Sequence, residues 1–194
     1  MDEWVKRALA KWPEVPALYG WLRLTRRGRW LIKDELISNA KIIRVINRNY
    51  DADEHGRWFF QNGPQRGYIA LDYAPFVLRS MPDGGLQTHN ELQVQSIETA
   101  WLDEEGSFVL ATEHGAGLIS DHDLDWVLSR LQVGEAPVSE DQLGNALVLK
   151  SGEQTELRLH AFDQTLAVTR CDASEMGECL GFSRNPEPSP EEKA

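Results

Sequence analysis

One order of sequence patterns occurs twice in this chain, and this repetition limits the fold more than any other feature. Each copy reads as a hairpin, a helix and a second hairpin. Gly28 in the turn of the first hairpin has its counterpart in Gly106, and an apolar triplet follows each glycine. The spacing between matching positions changes only in loops, as expected for a duplicated module whose core is constrained. The sequence therefore predicts two diverged copies of one module.

Further matches extend the repeat beyond the first hairpin. The tetrad Leu36–Asn39 matches Leu118–Asp121, and each tetrad is expected to open a helix. Ser38 is the expected cap of the first of these helices. Trp21 is matched by Trp101. Because tryptophan is costly to leave in water, this match favours a core position for both residues.

We expect an α+β fold of two tandem similar modules, each a mostly antiparallel curved sheet packed on one helix, plus an N-terminal helix. Short turns between closely spaced strands favour antiparallel pairing. The second module is expected to hold strands within residues 145–170, the first of them at 147–149. The predicted segments are an N-terminal helix and linker at 1–19, module 1 at 20–95, module 2 at 96–182, and a disordered acidic, Pro-rich tail at 183–194.

The net charge of −11 conceals an asymmetry along the chain. Residues 1–50 contain 11 basic and 5 acidic side chains, whereas the remainder contains 9 basic and 26 acidic ones. An acidic total argues against general nucleic-acid binding, while contact of the basic first quarter with RNA or another anion stays open. The two oppositely charged parts can also simply attract each other.

The sequence favours a cytoplasmic protein. No apolar run approaches the roughly 20 residues that cross a bilayer. The first residues, from Met1 to Trp4, are acidic and lack the apolar core of a signal peptide. Cys171 and Cys179 are therefore expected to be reduced and structural, although a disulfide between them is geometrically possible.

No sequence signature of catalysis or of cofactor binding is present. The chain lacks a Gly-rich phosphate loop, a G-x-S-x-G elbow and an H-E-x-x-H helix. The densest group of metal-ligand residue types is Asp121, His122 and Asp123. Because Asp121 stands where a helix is expected to begin, we interpret it as the helix cap and expect no metal and no cofactor.

The turns of the two matching hairpins carry opposite charges. Arg26, Arg27 and Arg29 surround the first turn, whereas Glu104 and Glu105 occupy the second. Arginine forks match the oxygens of phosphate and carboxylate groups. These five residues are therefore our candidates for contact with a ligand, a partner or another copy of the chain. Exposed turns also tolerate charges of either sign without any function.

Short motifs between Trp21 and Arg79 resemble those of an uncharacterised bacterial family known as a domain of unknown function. The motifs are Gly28-Arg29-Trp30, Leu36-Ile37, Gly56-Arg57-Trp58-Phe59 and Asp72-Tyr73-Ala74-Pro75-Phe76-Val77. The resemblance implies repeated α+β motifs and a role in signal transduction. It brings no catalytic residues, and this chain is expected to extend beyond the family pattern with strands after its second helix.

Three functions stay open at this point. We favour a non-enzymatic interaction or ligand-sensing protein in bacterial signalling, which uses the charged hairpin turns or the seam between the modules. Its partner would be a protein, a small molecule or a second copy of the chain. An enzyme that binds a small acidic or phosphorylated substrate through the basic first module is the alternative. Contact with RNA through the basic N-terminal quarter is a further alternative.

Overall fold

The chain forms two compact units in a computed structural model that describes residues 1–12 and 15–188. Unit 1 is Met1–Tyr73 with Gly181–Ala194, and unit 2 is Ala74–Leu180. The part of the predicted tail at 189–194 lies outside the described residues. Within the described ranges, no helix has the length and the apolar character that a membrane span requires.

Unit 1 contains two helices and a six-stranded sheet with the strand order β3-β2-β1-β6-β5-β4. Neighbouring strands pair antiparallel except β1 and β6, which are parallel. The elements are α1 Glu3–Lys11, β1 Leu18–Leu24, β2 Trp30–Ile32, β3 Glu35–Leu36, α2 Ala40–Arg48, β4 Tyr50–Ala52, β5 Trp58–Asn62 and β6 Gln65–Leu71.

Unit 2 contains a ten-stranded sheet with the order β14-β13-β15-β16-β10-β11-β12-β7-β8-β9. Two neighbouring pairs, β10 with β16 and β12 with β7, are parallel. The elements are β7 Phe76–Ser80, β8 Leu86–Thr88, β9 Gln93–Val94, β10 Ile97–Leu102, β11 Phe108–Thr112, β12 Gly115–Ile119, a 3₁₀ turn Asp121–Asp123, α3 Leu124–Leu128, β13 Leu131–Val133, β14 Ala136–Pro137, α4 Glu140–Leu147, β15 Gln154–Ala161, β16 Gln164–Arg170 and α5 Met176–Cys179.

Strands β7, β8 and β9 belong to unit 2, whereas the predicted module boundary near residue 95 assigned them to module 1. The parallel pairing of β7 with β12 holds them there, with Val77 opposite Leu118 and Leu78 opposite Ile119. All four side chains are buried. Because this pairing joins strands that are far apart in the sequence, local patterns could not show it.

Both helix caps differ from the expected ones by one residue. Asn39 rather than Ser38 caps α2, since its Oδ1 accepts hydrogen bonds from the backbone N–H groups of Lys41 at 2.9 Å and Ile42 at 3.4 Å. Ser120 rather than Asp121 precedes the 3₁₀ turn, where its Oγ accepts from His122 N. The cap is the residue whose polar side chain reaches the unpaired backbone N–H groups of the first turn. The sequence does not show which of two adjacent polar residues does so.

The strand expected at 147–149 is wrong, because Leu147 is the last residue of α4. A capping box starts this helix: Ser139 Oγ accepts from Gln142 N at 3.3 Å, and Gln142 Oε1 accepts from Ser139 N at 2.9 Å. The strands expected between 145 and 170 are β15 and β16, which begin later in the chain.

The expected core position is wrong for Trp21, whose side chain is 43% exposed, while Trp101 is half-buried. The buried tryptophans are Trp30, Trp58 and Trp126. The tail expected at 183–194 is also packed where it is described. Its residues donate and accept backbone hydrogen bonds within unit 1, from Ser183 N to Gly56 O at 2.9 Å and from Leu71 N to Arg184 O at 2.8 Å.

Candidate functional site: an apolar groove on unit 1

Unit 1 carries a small apolar cavity of about 170 Å³ between the sheet and α2. Strands β1, β2, β5 and β6 form one side of the cavity, and the first turns of α2 form the other. The residues that line it are mostly aliphatic or aromatic: Leu18, Trp21, Leu22, Ile32, Ile37, Ile42, Ile46, Phe60, Asn62, Gln65 and Gly67. We call this surface the apolar groove.

Three large side chains of the groove remain in contact with solvent. Trp21 and Ile32 are each 43% exposed, and Ile42 is 49% exposed. Complete burial of one such side chain contributes about 1.5–3 kcal/mol. Single exposed apolar residues are common on proteins, but a group of them around one cavity is typical of an interaction surface.

Helix α2 supplies both the base and the edge of the groove. Ile42 and Ile46 are four residues apart, so their side chains lie on the same helix face. Ile46 is buried, with 1% exposure, and Ile42 continues the same apolar stripe into solvent. The helix is therefore only partly covered by its own sheet.

An irregularity in β1 brings two neighbouring residues to the groove. In a regular strand, Trp21 and Leu22 would point to opposite faces of the sheet. The pairing of β1 with β6 shifts register between Leu18 and Leu22, and Gly20 lies in this bulge at φ +71°. Both Trp21 and Leu22 consequently line the cavity.

The chain segment that supplies most of the groove residues is basic. Lys33 Nζ lies 3.8 Å from the centre of the Trp21 ring, and α2 contains basic side chains but no acidic one. The stretch from β1 to α2 holds only two acidic residues, Asp34 and Glu35, against eight basic ones. The basic residues are Arg23, Arg26, Arg27, Arg29, Lys33, Lys41, Arg44 and Arg48.

The arginines proposed from the sequence lie in the turn between β1 and β2. The guanidinium of Arg26 lies 4.4 Å from the ring centre of Tyr73, and Arg184 contacts the same ring at 4.5 Å. Arg27 and Arg29 are exposed. Arg26 is thus anchored on unit 1, and none of the three is among the described residues that line the groove.

The acidic counterparts are in unit 2, where Glu104 has a structural role. Its Oε2 accepts a hydrogen bond from Ala173 N at 2.8 Å and lies 3.7 Å from Arg170 Nη2. Arg170 is almost fully buried and also donates to Asp172 Oδ1 at 2.7 Å. Glu105 is exposed. Glu104 therefore helps to compensate a buried cation, whose charge would be costly without partners.

The three weak metal candidates do not converge. Asp123 Oδ1 accepts a hydrogen bond from Ser80 N at 3.0 Å and another from Ser80 Oγ. Asp121 and His122 are exposed. Over the ranges 1–12 and 15–188, no three His, Cys, Asp or Glu side chains are grouped in a way that could hold a metal ion.

A second cavity of unit 1, of about 530 Å³, lies beside a polar network. Tyr68 and Arg66 line this cavity, and Tyr19 stacks on Tyr68 at 4.6 Å. Tyr68 Oη donates to Asp53 Oδ2 at 2.9 Å, and Arg57 Nε donates to the same oxygen at 2.7 Å. Burial acts to raise the pKa of Asp53, but hydrogen bonds from the backbone and side chain of Arg57, from Tyr68 Oη and from His55 N outweigh it and lower the pKa.

Unit 2 has an open cavity of about 590 Å³ between the β7–β8 turn, the end of α3 and the β15–β16 turn. Trp126 and Arg130 line it, and Trp126 Nε1 donates to Gly84 O at 2.7 Å. His160 also lines it, and its buried Nε2 has no hydrogen-bond partner among the described residues. The adjoining turn holds Phe162 at φ +51°, a strained conformation for a bulky residue.

These features define a mixed α+β protein of two compact units with curved sheets and few helices. A family model described as "Protein of unknown function (DUF2946)" matches residues 1–187, so the chain belongs to this family. No curated protein matches the chain.

Two solved structures match the chain. A DUF1285 family protein from Silicibacter pomeroyi DSS-3 is 14% identical and has a TM-score of 0.53, with 87% of this chain and 88% of that chain covered. A DUF1285 family protein from Shewanella baltica OS155 is 13% identical and has a TM-score of 0.41, with 53% of this chain and 85% of that chain covered. The first likeness supports the fold and nothing beyond it.

Sequence reasoning missed the apolar groove. Its residues are scattered from Leu18 to Gly67, and each apolar one alone reads as an ordinary core position. The one local signal is the apolar stripe of α2, which has both buried and exposed members. Only the folded chain shows which of these residues are left uncovered.

Proposed function

We propose that the chain is a non-enzymatic interaction protein that binds an apolar segment of a partner protein in the apolar groove. The observation that carries this proposal is the exposure of Trp21, Ile32 and Ile42 around one cavity. An amphipathic helix that lays its apolar face in a groove is a common mode of peptide recognition. Such a segment would bury the three side chains and exclude water from them.

The charges around the groove favour an acidic partner segment. Eight basic and two acidic residues occupy the stretch 18–48, which supplies most of the groove residues. Complementary charges accelerate encounter and select among partners, and their effect decreases with salt. We therefore infer an acidic amphipathic helix as the partner segment. A place in bacterial signalling and a cytoplasmic location are part of this proposal.

Two designed peptides test the proposal directly. One presents leucines at positions i, i+3, i+4 and i+7 with glutamates elsewhere, and the other has lysines in place of the glutamates. Fluorescence anisotropy of labelled peptides would measure binding at low and at high salt. We expect the acidic peptide to bind about tenfold more tightly than the basic one at low salt, and the difference to shrink as salt rises.

Matched variants locate the binding surface. Ile42→Glu should weaken acidic-peptide binding about tenfold or more, because it places a charge in the apolar groove. Val148→Glu is the control, since Val148 is 82% exposed in unit 2. Equal affinities of the two peptides, or equal effects of the two variants, would contradict the proposal. Concentration-dependent mass in sedimentation, abolished by Ile42→Glu, would instead identify a second copy as the occupant.

A second candidate function is an enzyme or binding protein for a small acidic or phosphorylated molecule in the unit 2 cavity. Arg130 supports it, and so does the buried Nε2 of His160, which has no hydrogen-bond partner in the described part of the chain, because buried polar atoms usually have partners. A thermal-shift series with inorganic phosphate and phosphorylated metabolites tests it. Stabilisation that Arg130→Gln abolishes would favour this function, and no stabilisation by any of them would count against it.

Contact with RNA through the basic N-terminal quarter is a further proposal, supported by the 11 basic residues within 1–50. A gel shift with single-stranded RNA at low ionic strength tests it. Absence of retardation there would end this idea, because nonspecific contacts are strongest at low salt.

We also propose that the two sheets derive from one duplicated module. The order β4-β5-β6-β1-β2-β3 in unit 1 is matched by β13-β15-β16-β10-β11-β12 in unit 2. Both orders centre on a parallel pair, β1 with β6 and β10 with β16. Equivalent hydrogen bonds support the match, since Asp72 N donates to Leu24 O as Cys171 N donates to Leu102 O. Comparison of the two halves across many relatives should show residual identity at these positions.

A further inference from the structure

Two free thiols of unit 2 lie close enough to react with each other. Cys171 follows β16 and is buried, whereas Cys179 ends α5 and is exposed. Their Sγ atoms are 3.3 Å apart. Seven residues separate them in the sequence, so the closeness results from the turn of the chain into α5.

Backbone hydrogen bonds hold both cysteines in place. Cys171 N donates to Leu102 O at 3.0 Å, and Cys179 N donates to Glu175 O at 3.0 Å. Met176, in the same short helix, is completely buried and anchors it. A disulfide bond has a length of about 2.0 Å, so the two sulfur atoms need to approach by only about 1 Å.

We propose that Cys171 and Cys179 form a redox-modification site, in which a peroxide converts the two thiols into a reversible intramolecular disulfide. The pair is not simply a structural pair of thiols. One member is open to solvent and the other is adjacent and protected, as in a peroxide-reactive cysteine with its resolving cysteine.

The exposure of the two residues assigns their roles. Burial raises the pKa of Cys171 to about 12, and the neighbouring Cys179 and Glu175 act in the same direction. Cys171 therefore remains a thiol near neutral pH. Cys179 is the nucleophile for the peroxide, because it is the one of the two that is exposed to solvent.

The reaction balances in two steps. The Cys179 thiolate attacks one peroxide oxygen, the O–O bond breaks, and the departing hydroxide takes up a proton to leave as water, so that Cys179 becomes a sulfenic acid. The sulfur of Cys171 then attacks the Cys179 sulfur. The S–S bond forms, the S–O bond breaks, and the hydroxide leaves as water with the thiol proton of Cys171. Each sulfur loses one electron, and the peroxide gains two.

The disulfide would connect α5 covalently to the end of β16. Leu180 follows Cys179 directly, and its N–H donates to Met176 O at 3.1 Å. We expect amide hydrogen exchange of Cys179 and Leu180 to slow upon oxidation, because the cross-link opposes local opening of this short helix.

Intact-mass analysis tests the proposal. The reduced protein is treated with hydrogen peroxide and then with an alkylating reagent, in parallel with free cysteine. We expect a monomer that has lost two hydrogen atoms and takes up no alkyl group, and that regains both reactive thiols after treatment with a dithiol reductant. Cys171→Ser should instead accumulate sulfenic or sulfinic acid at Cys179, and Cys179→Ser should leave Cys171 as a thiol.

Three results would overturn the inference. They are oxidation of Cys179 to sulfinic acid in the wild-type protein while Cys171 remains alkylatable, disulfide-linked dimers in place of the monomeric product, and no reaction under conditions that oxidise free cysteine. Each of these outcomes is measured on the wild-type protein, so the test does not depend on the folding of either variant. It is also independent of the apolar groove, which lies in unit 1.

Discussion

The ammonium group of Lys33 lies 3.8 Å from the centre of the Trp21 ring, and this ring is 43% exposed. Such a cation–π contact contributes about 0.5–1 kcal/mol at an exposed site. Burial of a large apolar side chain contributes more than this. The contact with Lys33 therefore stabilises the Trp21 ring by less free energy than its burial would. A partner in the groove would supply more by covering the ring.

The exposure of Trp21 predicts a small contribution to stability. Trp21→Ala should lower the free energy of unfolding by about 1 kcal/mol or less, whereas Trp30→Ala should lower it by about 3–5 kcal/mol. Trp30 is 2% exposed, and its Nε1 donates to Asn47 Oδ1 at 2.8 Å. Urea denaturation of both variants measures the difference. Equal losses would show that Trp21 is a core residue after all.

Acid should destabilise unit 1 through Asp53. Hydrogen bonds from Arg57 and Tyr68 help to lower its pKa in the folded state. Its carboxylate therefore stabilises the fold above the unfolded pKa of about 4. This contribution is lost as the pH falls through the folded pKa. Asp53→Asn should cost about 1–3 kcal/mol at pH 7, since the partly buried Arg57 loses its charged acceptor. Urea midpoints at several pH values should show that the variant differs from wild type less at pH 3 than at pH 7.

His89 should make the stability of unit 2 depend on pH, over a higher pH range than Asp53 does in unit 1. Burial, with a smaller effect of Arg79, lowers its pKa to about 3, well below the ordinary value of 6.5. The unfolded chain therefore binds a proton below about pH 6.5 that the folded chain rejects, and stability decreases as the pH falls toward 3. The slope from this residue is at most about 1.4 kcal/mol per pH unit. His89→Phe should flatten this slope in urea titrations between pH 6.5 and 4, and an unchanged slope would contradict the assignment.

Two glycines of unit 2 should respond to alanine in opposite ways. A Cβ at Gly117 would lie 2.6 Å from Leu78 Cγ, so Gly117→Ala should cost about 1–3 kcal/mol through displacement of a buried side chain. Gly144 is inside α4, and apart from its chain neighbours and the backbone of this helix no described atom lies within 4 Å of the corresponding position. Gly144→Ala should therefore stabilise the protein by about 0.5–1 kcal/mol. Thermal unfolding should show a lower unfolding temperature than wild type for Gly117→Ala and a higher one for Gly144→Ala.

The turns of the first hairpins could be predicted because they depend on a few adjacent residues. Gly28 and Gly106 have φ values of +71° and +86°, and both N–H groups donate back to the residue three positions earlier. Glycine adopts such values without steric cost, which makes the pattern readable. The α+β class follows from the same local periodicities. By contrast, α4 was missed, although Ser139 and Gln142 carry the capping-box pattern.

The apolar groove and the cysteine pair depend on contacts that no local pattern contains. Ile42 and Ile32 are both exposed and line one cavity, yet neither differs in sequence from a core isoleucine. Likewise, the 3.3 Å between the sulfur atoms of Cys171 and Cys179 depends on how α5 turns back on β16. Spacing in the sequence allowed this approach but did not require it.

Turn chemistry, apolar periodicity and charge asymmetry act within a few residues, and the chain alone therefore specified its hairpins, its mixed α+β class and its basic first quarter. Solvent exposure, strand order and the pairing of β7 with β12 depend on free energy summed over distant segments. Whether one apolar side chain is buried depends on all the segments that can pack against it. Tertiary structure alone consequently decided that Trp30 is covered while Trp21 remains at the surface.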